Sequence, residues 1–316
     1  MRTQNVIIHV GLSKCASTFL QKCIFPQFGN YSNIAFAPDL EKYYLFRKDM
    51  DADTYRNIVN RHLINPDRNS HHLIISCEDY TELLFRGFEQ LFFQRQTLDR
   101  EQYYFSNKLI TENLARVYPS AKIILVIRVQ IDWAISRHKM NYRGGIAAAE
   151  IDDYLGEPLE GYDITIQRYY DYFGRDNVLV LPYEKLLADQ HEFLDSLCRF
   201  VMPGLSIQVP ENRVNTGPDL QRIVEYERYK NRTRQAVKNT CSTSSLYRTM
   251  LLALNRLLAG MLKPFFFIRY GNSKFEVKPS QSTKSRLSSM LRKTNNEVEK
   301  LTGLELSRYG YLTDRY

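Results

Sequence analysis

The sequence predicts an α/β fold, a central parallel sheet flanked by helices. Two observations carry this. Four short apolar runs, residues 6–10, 73–76, 123–127 and 178–181, are rich in the β-branched residues that a buried parallel strand prefers. Each is followed by a segment of helical pattern, and such alternation builds a parallel sheet whose ligand crevice opens at the strands' carboxyl ends. The 316 residues suffice for a full core, and 44% hydrophobic with 25% charged content is that of a soluble globular chain. Residues 1–316 read as one domain, with 240–279 as a basic, apolar accessory helix and loop.

The elements follow in order. The first strand breaks at Gly11, and Ser17 to Gln21 restart as a helix that ends at Pro26. Helical patterns then cover 39–63, 98–117, 131–142, 151–173 and 184–200; residues 202–218 read as loop, and the rest is helical except around 264–279. No leader is expected before the first strand and no run long and apolar enough to span a bilayer, which predicts a cytoplasmic protein. Five cysteines (Cys15, Cys23, Cys77, Cys198, Cys241) without a C-x-x-C pair predict reduced thiols and no zinc site. The net charge of +8 is uneven: residues 222–300 hold 17 Lys+Arg against 5 Asp+Glu.

The turn after the first strand carries the chemistry. A strand–turn–helix unit points the free N–H groups of a helix N-terminus out of the sheet's carboxyl edge, where they and the dipole attract an anion. Lys14 adds a full charge, and Ser17 and Thr18 add hydroxyls. A Walker A loop is excluded because no Gly-Lys pair exists, and a dinucleotide fingerprint because Gly11 stands alone. A thiol phosphatase would need an arginine where Gln21 and Lys22 stand. On the third strand, Arg128 emerges at the carboxyl end, offering a planar fork for a phosphate, and Ser136 follows eight residues later on the next helix.

The order G-x-x-K-x-x-[ST]-T-x-L-Q, from Gly11 to Gln21, resembles the 5′-phosphosulfate loop of the sulfotransferase family, whose members use 3′-phosphoadenosine 5′-phosphosulfate (PAPS). Arg128 with Ser136 resembles the family's 3′-phosphate motif, and the ending 292–311 is similar to the C-terminal helix of bacterial carbohydrate-type members. The resemblance implies a P-loop-NTPase-like sulfotransferase fold, PAPS as cosubstrate without a metal, and a glycan or glycolipid acceptor. It implies that Lys14 meets the leaving phosphate oxygen, while Cys15, Ala16, Ser17 and Thr18 hold the 5′-phosphate. Arg213 and Asn215 occupy the place where family members close a loop over the nucleotide. Glu78, at the end of the second strand, resembles the glutamate base of heparan-type members, with Asp79 and His138 as alternatives; His9 reads as a core histidine. Three departures stand out: Ala16 replaces a glycine and is expected to keep φ negative, Val129-Gln130 replaces Asn-Pro, and Trp133 replaces a commonly charged residue.

Two other functions compete. A nucleotide kinase with an aberrant P-loop lacks its Gly-Lys pair, and a non-enzymatic binder of acidic glycan or nucleic acid would use the basic C-terminal third. No nucleic-acid-binding motif is visible. Within 246–274, Tyr247, Met250, Leu251, Leu254, Leu257, Leu258, Met261 and Leu262 fall at helical spacing, and Pro264 is expected to stop the helix before three phenylalanines. The segment reads as a core or dimer helix, or as a peripheral membrane contact at the inner face of the membrane.

Overall fold

The computed structural model describes residues 5–64, 66, 71–81, 106–145, 150–155, 161–205, 207–208, 220–240 and 245–314. Arg213, Asn215 and Cys241 lie outside them. Every apolar run is a strand. In chain order the strands are β1 (Asn5–Gly11), β2 (Asn30–Asn33), β3 (Leu63–Ile64), β4 (His72–Ser76), β5 (Lys122–Ile127) and β6 (Val178–Pro182). They form a sheet of order β3-β2-β4-β1-β5-β6, parallel throughout except for the antiparallel edge strand β3. β1 lies at its centre, and the chain leaves it towards β2 on one side before crossing to β5 on the other. That reversal makes the carboxyl end of β1 the place where a crevice opens.

The helices are α1 (Ser17–Phe19), α2 (Asp39–Lys42), α3 (Ala52–Arg61), α4 (Asn107–Val117), α5 (Gln130–Arg143), α6 (Ile151–Tyr154), α7 (Tyr162–Phe173), α8 (Tyr183–Ala188), α9 (Gln190–Val201), α10 (Gln221–Thr240), α11 (Ser245–Tyr270) and α12 (Gln281–Thr302). The helix expected over 39–63 is broken into α2, a 3₁₀ turn at Tyr44–Phe46 and α3, and its last residue enters β3. Asp51 accepts from the Thr54 N–H at 2.7 Å and caps α3. The pattern over 151–173 likewise divides into α6 and α7.

The chain forms two compact units, one of Met1–Trp133, Gly156–Asn215 and Ser282–Tyr316, the other of Ala134–Leu155 and Thr216–Gln281. The first contains the sheet, and its core is Ile8, Val10 and all of 123–127, each fully buried. Burying each such side chain contributes about 1.5–3 kcal/mol.

The second unit contains the hairpin of α10 and α11. Pro264 does not stop α11, which runs on to Tyr270. The proline removes one backbone donor, but packing outweighs it. Phe266 lies against Tyr226 and Tyr229, with ring centroids at 6.1 and 5.7 Å, and the Arg222 guanidinium sits 4.8 Å from the Phe267 ring. A second expectation also fails: Thr249–Tyr270 is long and apolar enough to cross a membrane by length and composition. Nor is α11 a core helix, because Met250, Leu257, Met261 and Ile268 are all exposed.

Candidate active site

Parallel register brings three loops to one edge of the sheet. His9 pairs with Ser76, and Gly11 with Leu125, so β1, β4 and β5 end together. Gly11 is required there. At its φ of +132°, a Cβ would meet the carbonyl oxygens of Glu78 and Thr81 at 2.6 and 2.7 Å. The loop after β1 therefore lies directly against the loop after β4.

That first loop is bent by two non-glycine residues in the left-handed region, Lys14 at φ 65° and Ala16 at φ 62°. The expectation that Ala16 keeps φ negative is wrong. Each such residue costs roughly 1–2 kcal/mol, and the surrounding bonds hold them in place. The Leu12 N–H donates to the Val126 carbonyl at 2.9 Å, and Trp133 Nε1 donates to the Ser13 carbonyl at 2.8 Å. Arg128 Nη1 donates to the Lys14 carbonyl at 2.9 Å. Left-handed residues alternating with others turn successive N–H groups to one side, the geometry of an anion-binding concavity. No side chain caps α1 at Ala16, and the Leu20 N–H closes its first turn on the Ala16 carbonyl at 3.0 Å. Lys14 and Thr18 are half-buried, Ser17 is buried, and the Cys15 side chain is fully enclosed.

Arg128 is pinned on every side. Its carbonyl accepts from Tyr162 Oη at 2.8 Å, and its guanidinium lies 4.8 Å from the Tyr183 ring. The next N–H, of Val129, donates to Glu184 Oε1 at 3.0 Å, and Glu184 Oε2 accepts from Tyr311 Oη at 3.0 Å. Gln130 donates to Asn295 Oδ1 at 2.5 Å. The pair replacing Asn-Pro is thus held by side chains instead of by a rigid ring. Arg128 Nε remains buried without a hydrogen-bond partner among the described residues. An orphaned guanidinium donor beside an anion-binding loop fits a phosphate oxygen.

α1 continues into a π-turn at Leu20–Ile24, which carries Gln21 inward. Gln21 Nε2 donates to Glu78 Oε2 at 2.5 Å and to Ser76 Oγ at 3.1 Å, using both amide hydrogens. Ser76 Oγ and His9 Nδ1 share a further hydrogen bond of 2.8 Å. Burial lowers the pKa of His9 to about 3, so it stays neutral as a core residue. For Glu78, burial first and the neighbouring Asp79 second push the carboxyl above its ordinary range.

The adjacent carboxylate has a different fate. Asp79 is ion-paired with Lys42 and accepts from Tyr43 Oη at 3.2 Å. Both contacts fall on Oδ2, so the Asp79 charge is matched by a cation, whereas Glu78 accepts from a neutral amide. His138 and Ser136 lie on the part of α5 that belongs to the second unit, His138 buried with its ring 6.4 Å from that of Tyr142, Ser136 half-buried. The structure thus brings together Lys14, Cys15, Ala16, Ser17, Thr18, Arg128 and Glu78 in the first unit. Sequence reasoning missed the support of Gln21, Trp133 and Glu184; of these only Gln21 stood in the quoted motif.

A family model described as "Sulfotransferase family" matches residues 7–206, the part that contains the loop, Glu78 and Arg128. Among solved structures, a sulfotransferase from Alicyclobacillus acidocaldarius is similar with a TM-score of 0.54 and 14% identity, over 97% of this chain and 98% of that one. Mouse sulfotransferase SULT7A1, complexed with PAP, is similar with a TM-score of 0.39 and 12% identity, over 76% of this chain and 68% of that one. No curated protein sequence matches. The family match covers well over half of the chain, and the α/β sheet with its loop is the fold it calls for: the chain belongs to the sulfotransferase family.

Proposed function

We propose that the enzyme transfers the sulfuryl group of PAPS to a hydroxyl (or amine) of a glycan or glycolipid by in-line displacement. One observation carries this reading: the left-handed loop at Lys14 and Ala16, bound to Arg128 with its orphaned Nε, lies against the loop that holds Glu78. PAPS, when bound, supplies the sulfuryl group and a phosphate leaving group. The backbone of Cys15 to Thr18 and the Ser17 and Thr18 hydroxyls hold the 5′-phosphate. Arg128 holds the 3′-phosphate. Lys14 meets the charge that grows on the leaving oxygen, a contact stronger in the transition state than in the ground state. Glu78 takes the acceptor's proton. Its raised pKa makes it a better base than an ordinary carboxylate, and the Gln21 amide fixes its orientation.

Calorimetry on the full chain with adenosine 3′,5′-bisphosphate, ATP–Mg²⁺ and an oligonucleotide tests the nucleotide. Micromolar binding of the bisphosphate alone is expected, and preference for ATP–Mg²⁺ would replace sulfuryl transfer by phosphoryl transfer. Radiolabelled sulfate transfer across glycans, glycolipids and phenols tests the acceptor; labelling of phenols only rejects the glycan. Lys14→Ala is expected to lower kcat by about 10²–10³-fold with little change in bisphosphate binding.

A further inference from the structure

We infer that the α10–α11 hairpin docks on an anionic lipid surface, with α11 lying in the plane of the headgroups. Met250, Leu254, Leu257, Met261, Phe265 and Ile268 succeed one another at spacings of three and four residues, so they form a single stripe. The stripe is exposed along its whole length, reaching 77% at Met261 and 84% at Ile268. On the opposite side of the helix Ala259 is buried, and Phe266 and Phe267 face the rings and guanidinium of α10. A helix that is apolar on both sides has one face for its neighbour and one for a second apolar medium.

Charge identifies that medium. From Arg228 to Phe275 the chain has no Asp or Glu and ten Lys or Arg. Arg256, Lys263 and Arg269 flank the stripe without interrupting it, and all three are exposed. A second copy of the chain would bring the same uncompensated positive charge to the contact. Nucleic acid would satisfy the charge and leave the methionines and leucines in water. Anionic headgroups over acyl chains satisfy both.

The hairpin also fixes how α11 lies. The Gln221 N–H donates to the Ser273 carbonyl at 2.9 Å, and Leu220 bridges Lys274, so the start of α10 is tied to the end of α11. Only residues 241–244 join their other ends. A spanning α11 would drag Glu225, Glu227, Arg228 and Lys230 of α10 through the hydrocarbon, where such groups are costly. The length that allows a span is therefore used in the plane of the surface.

The test is flotation of the full chain with vesicles of phosphatidylcholine alone or with phosphatidylglycerol, at low and high salt. It requires no sulfuryl transfer, so its failure and the failure of the proposed activity are separate results. Flotation on the anionic vesicles at low salt is expected, roughly tenfold or more weaker on phosphatidylcholine alone or at high salt. Leu257→Ser/Met261→Ser/Phe265→Ser, and independently Met261→Asp, are expected to abolish flotation while far-UV circular dichroism and bisphosphate binding stay unchanged. No flotation on anionic vesicles, or flotation that survives both variants, overturns the inference. Resistance to alkaline carbonate extraction overturns the in-plane geometry. A dimer that the same variants dissolve, without vesicle binding, assigns the stripe to a second copy, and oligonucleotide binding without vesicle binding assigns the charge to nucleic acid.

Discussion

The loop after β1 and the α10–α11 hairpin break the ordinary rule of burial in opposite directions. In the loop, polar groups are inside: Gln21, Ser76 and His9 are buried and Glu78 largely so, and two residues adopt left-handed backbone without being glycine. In the hairpin, apolar groups are outside, and α11 shows water a stripe of leucine, methionine and phenylalanine. Buried polar groups and exposed apolar patches are the informative exceptions in a folded chain. The difference teaches where each region's free energy is held. The loop is over-determined by hydrogen bonds, so a lost contact appears in chemistry and binding. Among the described residues nothing packs on the hairpin's exposed face, so changes there are expected to appear only in what it docks on.

The sharpest break in this comparison separates two adjacent carboxylates of the first region. Glu78→Gln is expected to lower kcat by about 10²–10⁴-fold. In the wild type the acid limb of the rate profile lies above the ordinary carboxylate range, because burial and Asp79 raise the Glu78 pKa. Activity rises with pH through that raised pKa, and a profile flat through the acid range ends the base assignment. Stability has the opposite sign: the ionised carboxyl is penalised in the folded state, so at neutral pH the variant gains on the wild type, and the gain vanishes as pH falls below the unfolded value. Asp79→Asn, in contrast, strips Lys42 of its half-buried partner and lowers stability by about 3 kcal/mol, with the acid limb still present but moved to lower pH, because the charge that helps burial raise the Glu78 pKa is gone.

Next in size is Arg128→Ala, expected to weaken bisphosphate binding by roughly 2–4 kcal/mol with a smaller effect on kcat; calorimetry reads it. Trp133→Phe keeps the ring packing and removes the donor to the Ser13 carbonyl. A loss of about 1–2 kcal/mol in stability is expected, measured by denaturant midpoint, with several-fold weaker nucleotide. The smallest change is Ala16→Gly. Relief of the left-handed strain exceeds the added freedom of the unfolded chain by about 0.5–1 kcal/mol, so the thermal midpoint rises by about 1 °C.

The strands that could be read were those whose buried faces are β-branched, and they gave the sheet its centre. β2 could not be read because three of its four residues, Asn30, Ser32 and Asn33, are polar although buried. Its Ser32 hydroxyl donates to the Val59 carbonyl at 2.8 Å, a partner that only the folded chain supplies. In the site, Lys14, Arg128 and Glu78 were legible because a charged residue ends an apolar strand, a local signal. The left-handed Ala16 was not, since the bonds that enforce it come from Val126, Arg128 and Trp133, far along the chain. Gln21 was quoted in the motif without a role, because its partners Ser76 and Glu78 lie across the sheet. Pro264 misled for the same reason: aromatic packing on α10 overrides a local stop.

Gly11 sets a dimension of the enzyme. Its missing side chain lets the backbone of the loop after β1 touch the backbone of the loop after β4, with room for a hydrogen atom and nothing larger. The separation between the two loops is thus a backbone-to-backbone distance, which no choice of side chain at this position can shorten. Any residue but glycine can only lengthen it, by pushing the Glu78 and Thr81 carbonyls away. On the proposed roles of Lys14 and Glu78, a change of acceptor is then expected from substitutions in the walls around this gap, because the gap itself has one width.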